Sequence, residues 1–261
     1  MIRSRFRTCR RSFAAAVALG TAVGAAALSA APAAQAARAD DPVPDFDWSD
    51  CPELPPGANV PGSICLQTTA TSGSFTLGGV EHAITKPITV TAGSASFLGE
   101  GFQDLFGAVR SEDFTVDLGP GIGTASVSLQ YAGGLVLRGF DTTIGLKVKL
   151  SGAGLGDQCT IGSDAAPILL NLTTGTTAPP PPNQPISGEP FTIIGSIPNA
   201  ALRKGTQVDN AFALPGATGC GTGGQSADAA VNAAVGLPSA AGRNTVIFHE
   251  YGAAISYSKL P

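Results

Sequence analysis

The sequence predicts a mainly β protein: an antiparallel β-sandwich or barrel with one or two short helices, stapled by two disulfides. Three observations carry this expectation. Apolar and polar residues alternate with period 2 in segment after segment, the spacing of strands with one face in a core and one in water. Glycine (34 residues) and proline (20 residues) punctuate those segments as turns. Four cysteines remain once an export signal is set aside.

Residues 1–36 read as a signal peptide. Arg3, Arg5, Arg7, Arg10 and Arg11 precede an uncharged Ala/Gly/Val/Leu run from Phe13 to Ala31, and Ala34-Gln35-Ala36 supplies a small-x-small cleavage site, with Ala39 as the alternative. Arg10-Arg11-Ser12-Phe13 matches the core of a twin-arginine signal, and an Arg-rich Sec signal fits equally. The Ala/Gly-rich run inserts weakly, so an integral membrane segment is not expected in the mature chain. Removing residues 1–36 leaves 10 basic against 19 acidic residues, a net charge of −9 that excludes a basic nucleic-acid footprint.

Residues 37–50 are read as an acidic, flexible leader with Asp40, Asp41, Asp45, Asp47 and Asp50. Asp45-Phe46-Asp47 has the spacing of a calcium loop but lacks its turn glycine and terminal glutamate, so a plain acidic tail is the expectation. Trp48 is expected to pack beside the first disulfide.

Residues 51–261 are expected to form a single disulfide-tied β-rich domain. Strands are read at Ile88–Ala92, Phe114–Leu118, Val127–Gln130, Ile144–Leu150, Pro167–Thr173, Phe191–Ile197 and Gln207–Leu214. Turns are read at Gly78-Gly79, Gly119-Pro120-Gly121, Gly133-Gly134 and Gly152 to Gly156. Phe102 to Val109 carries apolar residues at helical spacing and is read as a packed connector, a short helix or a strand crossover. Pro179 to Pro182 enforce an extended segment, read as a surface loop rather than a domain boundary. Ser226 to Val235 is read as a helix, with Ser226 as the cap at its start and Gly236 where it ends. Thr245 to Phe248 and Ala253 to Tyr257 are read as a closing hairpin turned near Tyr251-Gly252.

Cys9 leaves with the signal, so Cys51, Cys65, Cys159 and Cys220 remain, an even number in an exported chain with three possible connectivities. Cys51–Cys65 with Cys159–Cys220 is favoured, because the first pair brackets a Pro/Gly loop. A four-cysteine zinc site would need paired C-x-x-C spacing, which is absent.

Several stretches also resemble uncharacterised exported proteins of high-GC actinobacteria: Asp50-Cys51-Pro52 with Cys65, Cys159 to Asp164, Leu172 through the prolines to Gly188, and Gly236 to Asn244. The resemblance covers most of the mature chain and implies an extracytoplasmic protein, secreted or facing the cell envelope. It brings no assigned chemistry.

Catalytic motifs are thin. The sequence has no nucleophile elbow, phosphate loop, zinc-protease helix or dinucleotide fingerprint, and no cofactor or metal is expected. Two histidines, each beside a glutamate, give the site candidates Glu81, His82, His249 and Glu250. Neighbours on a strand point to opposite faces, so neither pair converges on one ligand, although His82 and His249 could meet if the first and last strands were adjacent. The expectation is an exported, non-enzymatic protein, binding or structural, with an unknown envelope or extracellular ligand. An envelope channel is the first alternative, opposed by 14 aromatics in the 225 mature residues; a secreted hydrolase with an unrecognised site is the second.

Overall fold

The computed structural model describes residues 42–139 and 141–261; the signal peptide read over 1–36 and the first residues of the leader lie outside them. The described strands, in chain order, are β1 Ile64–Leu77, β2 Val80–Ala83, β3 Ile88–Phe97, β4 Gly101–Ser111, β5 Phe114–Asp117, β6 Thr124–Arg138, β7 Asp141–Ser151, β8 Thr160–Ile161, β9 Ile168–Leu172, β10 Glu189–Ile197, β11 Ala200–Asp209, β12 Ala217–Thr218 and β13 Thr245–Ser256. Helix α1, Asp228–Val235, lies between the last two.

The strands form two antiparallel sheets. The first has the order β10-β11-β13-β1-β3-β4, with β2 beside β1; the second has the order β12-β8-β7-β6-β5, with β9 beside β7. The chain returns at its end to place β13 between β1 and β11. The sheets also touch along their edges. Thr173, just past β9, exchanges both backbone hydrogen bonds with Val208 of β11, at 3.0 and 2.9 Å. On the other side Phe106 of β4 stacks on Tyr131 of β6 with ring centroids 3.5 Å apart, and the Leu137 N–H donates to Asp104 at 2.8 Å. The result lies between a sandwich and a flattened barrel.

Alternation places the core. On β7, Ile144, Val148 and Leu150 are buried between the sheets, while Lys147 alternates with them and pairs with Asp164 at 2.7 Å. Phe75 of β1 and Val246 of β13 meet Val127, Ile168 and Leu170 from the second sheet in the same cluster. Each such side chain contributes about 1.5–3 kcal/mol on burial. Helix α1 adds Val231 and Val235 to this core and ends on Gly236 in the left-handed conformation, as its sequence predicts. Its N-cap is Ala227 rather than Ser226, because the first helical turn begins one residue later than read; Ser226 still accepts the Asp228 N–H at 3.3 Å.

The two disulfides are Cys51–Cys65 and Cys159–Cys220. The first ties the N-terminal arm to β1. The second ties the residue before β8 to the segment after β12, both flanking strands of the second sheet. Trp48 stacks on Phe46 at 6.0 Å. The proline segment is held as a loop: the Asn183 amide donates to the Asn210 and Asn244 carbonyls, each at 2.9 Å, and Thr176 bridges to Ser187.

Four local readings change. Phe102 to Val109 belongs to strand β4, because Gly99 and Gly101 turn the chain back along β3 and the strand pairing satisfies its backbone. Gly133-Gly134 lies inside β6 as a register irregularity rather than a turn; its positive φ values, 101° and 71°, bend a continuing strand. Tyr251-Gly252 passes straight through β13, which pairs on both sides across those residues. The strand read at Gln207 starts earlier, at Ala200, and ends at Asp209.

Candidate functional site

The inward positions of β13 are Val246, Phe248 and Glu250: two core residues and then an acid in the same phase. Glu250 lies opposite Ala70 of β1 and Gly205 of β11. Between these strands and the second sheet runs a row of free spaces. The outermost, about 210 Å³, has Ile64, Leu66, Phe191 and Ala254 as apolar walls and Arg203 and Gln207 as polar ones. Ile64, 42% exposed, marks its solvent side, and Gly139, in the turn between β6 and β7, lies across from it. Phe191 reaches this wall by lying against Gly205 and Gly252; a Cβ on Gly205 would come within 2.9 Å of the ring.

The chamber narrows past Thr68, Thr142 and Gln207, which also border a space of about 30 Å³ lined by Glu250, Phe248, Ile144 and Leu170. Beyond it, Phe248, Leu146 and Leu170 border a third space, about 40 Å³ and wholly hydrophobic in its walls, ending at Phe75. Glu250 is 4% exposed and its Oε2 has no hydrogen-bond partner. Burial pushes its carboxyl up from 4.5 to about 8. At neutral pH it therefore keeps its proton and is a hydrogen-bond donor as well as an acceptor.

The other sequence candidates sit elsewhere. Glu81 is exposed on β2. His82 stacks between Phe114, at 4.3 Å, and Phe75, at 5.2 Å, and burial lowers its pKa. His249 lies on β13 opposite Ser72 and is buried, its Nδ1 3.0 Å from Thr206 Oγ1. The Thr206 hydroxyl donates to Glu189 at 3.2 Å, which leaves its oxygen to accept from His249 Nδ1–H. A nucleophilic triad needs the imidazole between hydroxyl and acid. Here the hydroxyl stands in the middle and is 4% exposed, so the arrangement is a structural clasp. Thus β1 and β13 are adjacent, yet the two histidines have different neighbours. Among the described residues no group of three or more His, Cys, Asp or Glu is placed to hold a metal ion, Asp45 and Asp47 included.

Arg203, Gln207, Thr68, Thr142 and Phe191 are the chamber residues that sequence reasoning missed. The available signal was Glu250 itself, an acid at an inward position of an apolar strand. No protein-family model, no curated protein and no solved structure matches this chain.

Proposed function

We propose that this chain is an exported, non-enzymatic binding protein of the cell envelope or extracellular space, and that its ligand lodges in the chamber between the sheets. The observation that carries this reading is the chamber of about 210 Å³, open beside Ile64 and bordered by Arg203 and Gln207, with the smaller space that Glu250 lines adjoining it past Thr68, Thr142 and Gln207. A cavity near ~150 Å³ already admits a benzene-sized molecule, so a compact apolar body of one or two rings fits. The two disulfides accord with an oxidising compartment. Among the described residues no helix is long and apolar enough to cross a membrane.

The polarity of the sheets weighs against the channel alternative. A membrane barrel turns apolar side chains outward and polar ones to its lumen. Here the core between the sheets is apolar, whereas Lys147, Lys149, Thr115 and Asp117 alternate with the core residues of β7 and β5. The clasp order of Glu189, Thr206 and His249 weighs against the hydrolase.

Titration with a carbonyl-free dimethylaminonaphthalene tests the reading. Saturable one-to-one binding is expected, lost in Ala254→Trp, whose indole fills the chamber, while the melting temperature of that variant stays within a few degrees. Absence of saturable binding both of this probe and of its carbonyl-bearing analogue, or binding unchanged in Ala254→Trp, overturns it.

A further inference from the structure

Glu250 is the only ionisable residue, among the described ones, that lines the narrow space inside the chamber. Its Oε2 is buried without a partner, and a buried carboxyl oxygen left unpaired is costly, so such groups ordinarily meet a complement. The space, about 30 Å³, has room for one small polar group and no more. The geometry points to a ligand class: we propose that the chamber takes a small, uncharged, apolar compound bearing a carbonyl group, whose oxygen enters the narrow space and accepts a hydrogen bond from Glu250. The proposal rests on the binding reading above and adds the chemistry of the ligand.

Two features select a carbonyl over its rivals. The walls that β1, β3, β4, β6, β7, β9 and β11 turn toward Glu250 carry no charged group, only Thr68, Thr142 and Gln207 among polar ones, so an anion there would be desolvated without a counter-charge. The outer chamber holds Arg203, and among the described residues no carboxylate pairs with it. Its guanidinium disfavours an ammonium ion on the way in. A neutral acceptor suits both positions. Because burial keeps Glu250 protonated, the acid supplies the donor.

The test uses prodan, a naphthalene that carries a propionyl carbonyl and whose emission reports hydrogen bonding to it, beside the carbonyl-free naphthalene and n-octylamine. Prodan is expected to bind about tenfold more tightly than the carbonyl-free compound, the worth of one buried hydrogen bond, with hydrogen-bonded emission. Glu250→Leu is expected to remove that advantage and shift the emission to the blue. Glu250→Gln, which keeps a donor, is expected to hold it, and to abolish the loss of prodan that wild type shows as the pH is raised through about 8. Equal binding of prodan and the carbonyl-free compound, in wild type and in Glu250→Leu alike, leaves the chamber as a site and overturns the ligand class. So does displacement of prodan by octylamine at lower concentration than prodan itself requires. If neither naphthalene binds at all, the binding reading falls first and this one with it.

Discussion

Asp209 at the end of β11 accepts the backbone N–H of Asn171 in β9, at 2.7 Å, and so fastens one sheet to the other. Its second oxygen accepts the Ala211 N–H at 2.8 Å. The carboxylate is buried, and burial raises its pKa while these two N–H groups lower it. Hydrogen bonds to a charged group are worth about 1.5–3 kcal/mol net. Asp209→Ala is expected to destabilise the fold by about 3 kcal/mol, read as a lower urea midpoint.

Asn244 is a second tie. It is fully buried; its amide donates to the Phe212 carbonyl at 2.9 Å and the Ala240 carbonyl at 3.2 Å, and its oxygen accepts the Gly78 N–H at 2.9 Å. Asn244→Ala leaves those groups without their partner and is expected to cost about 3 kcal/mol. Asn244→Asp, which keeps the acceptor and loses the donors, should cost at least as much. Thermal unfolding of both variants checks the order.

Glu250 sets a pH dependence with a definite sign. An unfolded chain releases this proton near 4.5, while the folded chain holds it to about 8. Between those values the folded state carries the extra proton, so stability falls as pH rises from about 4.5 to about 8 and is level on either side. The full difference is on the order of 5 kcal/mol. Glu250→Gln should lose this slope and become the more stable protein in alkaline buffer; parallel slopes in urea melts of the two proteins would count against a buried, protonated acid.

Removing each disulfide should cost a different amount. In the chain-entropy picture the crosslink with 14 residues of separation contributes roughly 3 kcal/mol and that with 61 roughly 4 kcal/mol. Cys159→Ser with Cys220→Ser should therefore lower the unfolding midpoint more than Cys51→Ser with Cys65→Ser.

The legible parts of the fold were those where one physical signal spoke alone. Ile144 to Leu150 alternates cleanly because one face is core and the other bears lysines, and it forms β7. Cys51 and Cys65 bracket a short loop, and they pair. Where two signals competed, local pattern misled. Phe102 to Val109 has helical spacing, but its neighbour β3 offers a ladder that a helix could not use. Tyr251-Gly252 looks like a turn because glycine is usually read as punctuation; here Gly252 leaves room for Phe191 instead.

That one misreading hid the site. With β13 cut at Tyr251, Glu250 falls beside a turn, as the neighbour of His249 and nothing more. Continued through Ala254, the same strand puts Glu250 in phase with Val246 and Phe248, where an acid stands out. Arg203 was hidden for a related reason: β11 begins at Ala200, seven residues before the strand that the alternation shows at Gln207.

Each disulfide lies within one side of the molecule: Cys51–Cys65 joins the arm to the sheet of β1, and Cys159–Cys220 stays with the sheet of β8. Among the described residues no disulfide therefore spans the gap between the sheets. The width of that gap is set by contacts that can be made and unmade at ordinary temperature, Asp209 with Asn171 and Thr173 with Val208 at one seam, Phe106 with Tyr131 at the other. Oxidation therefore fastens each wall separately and leaves the spacing between the walls to those noncovalent seams.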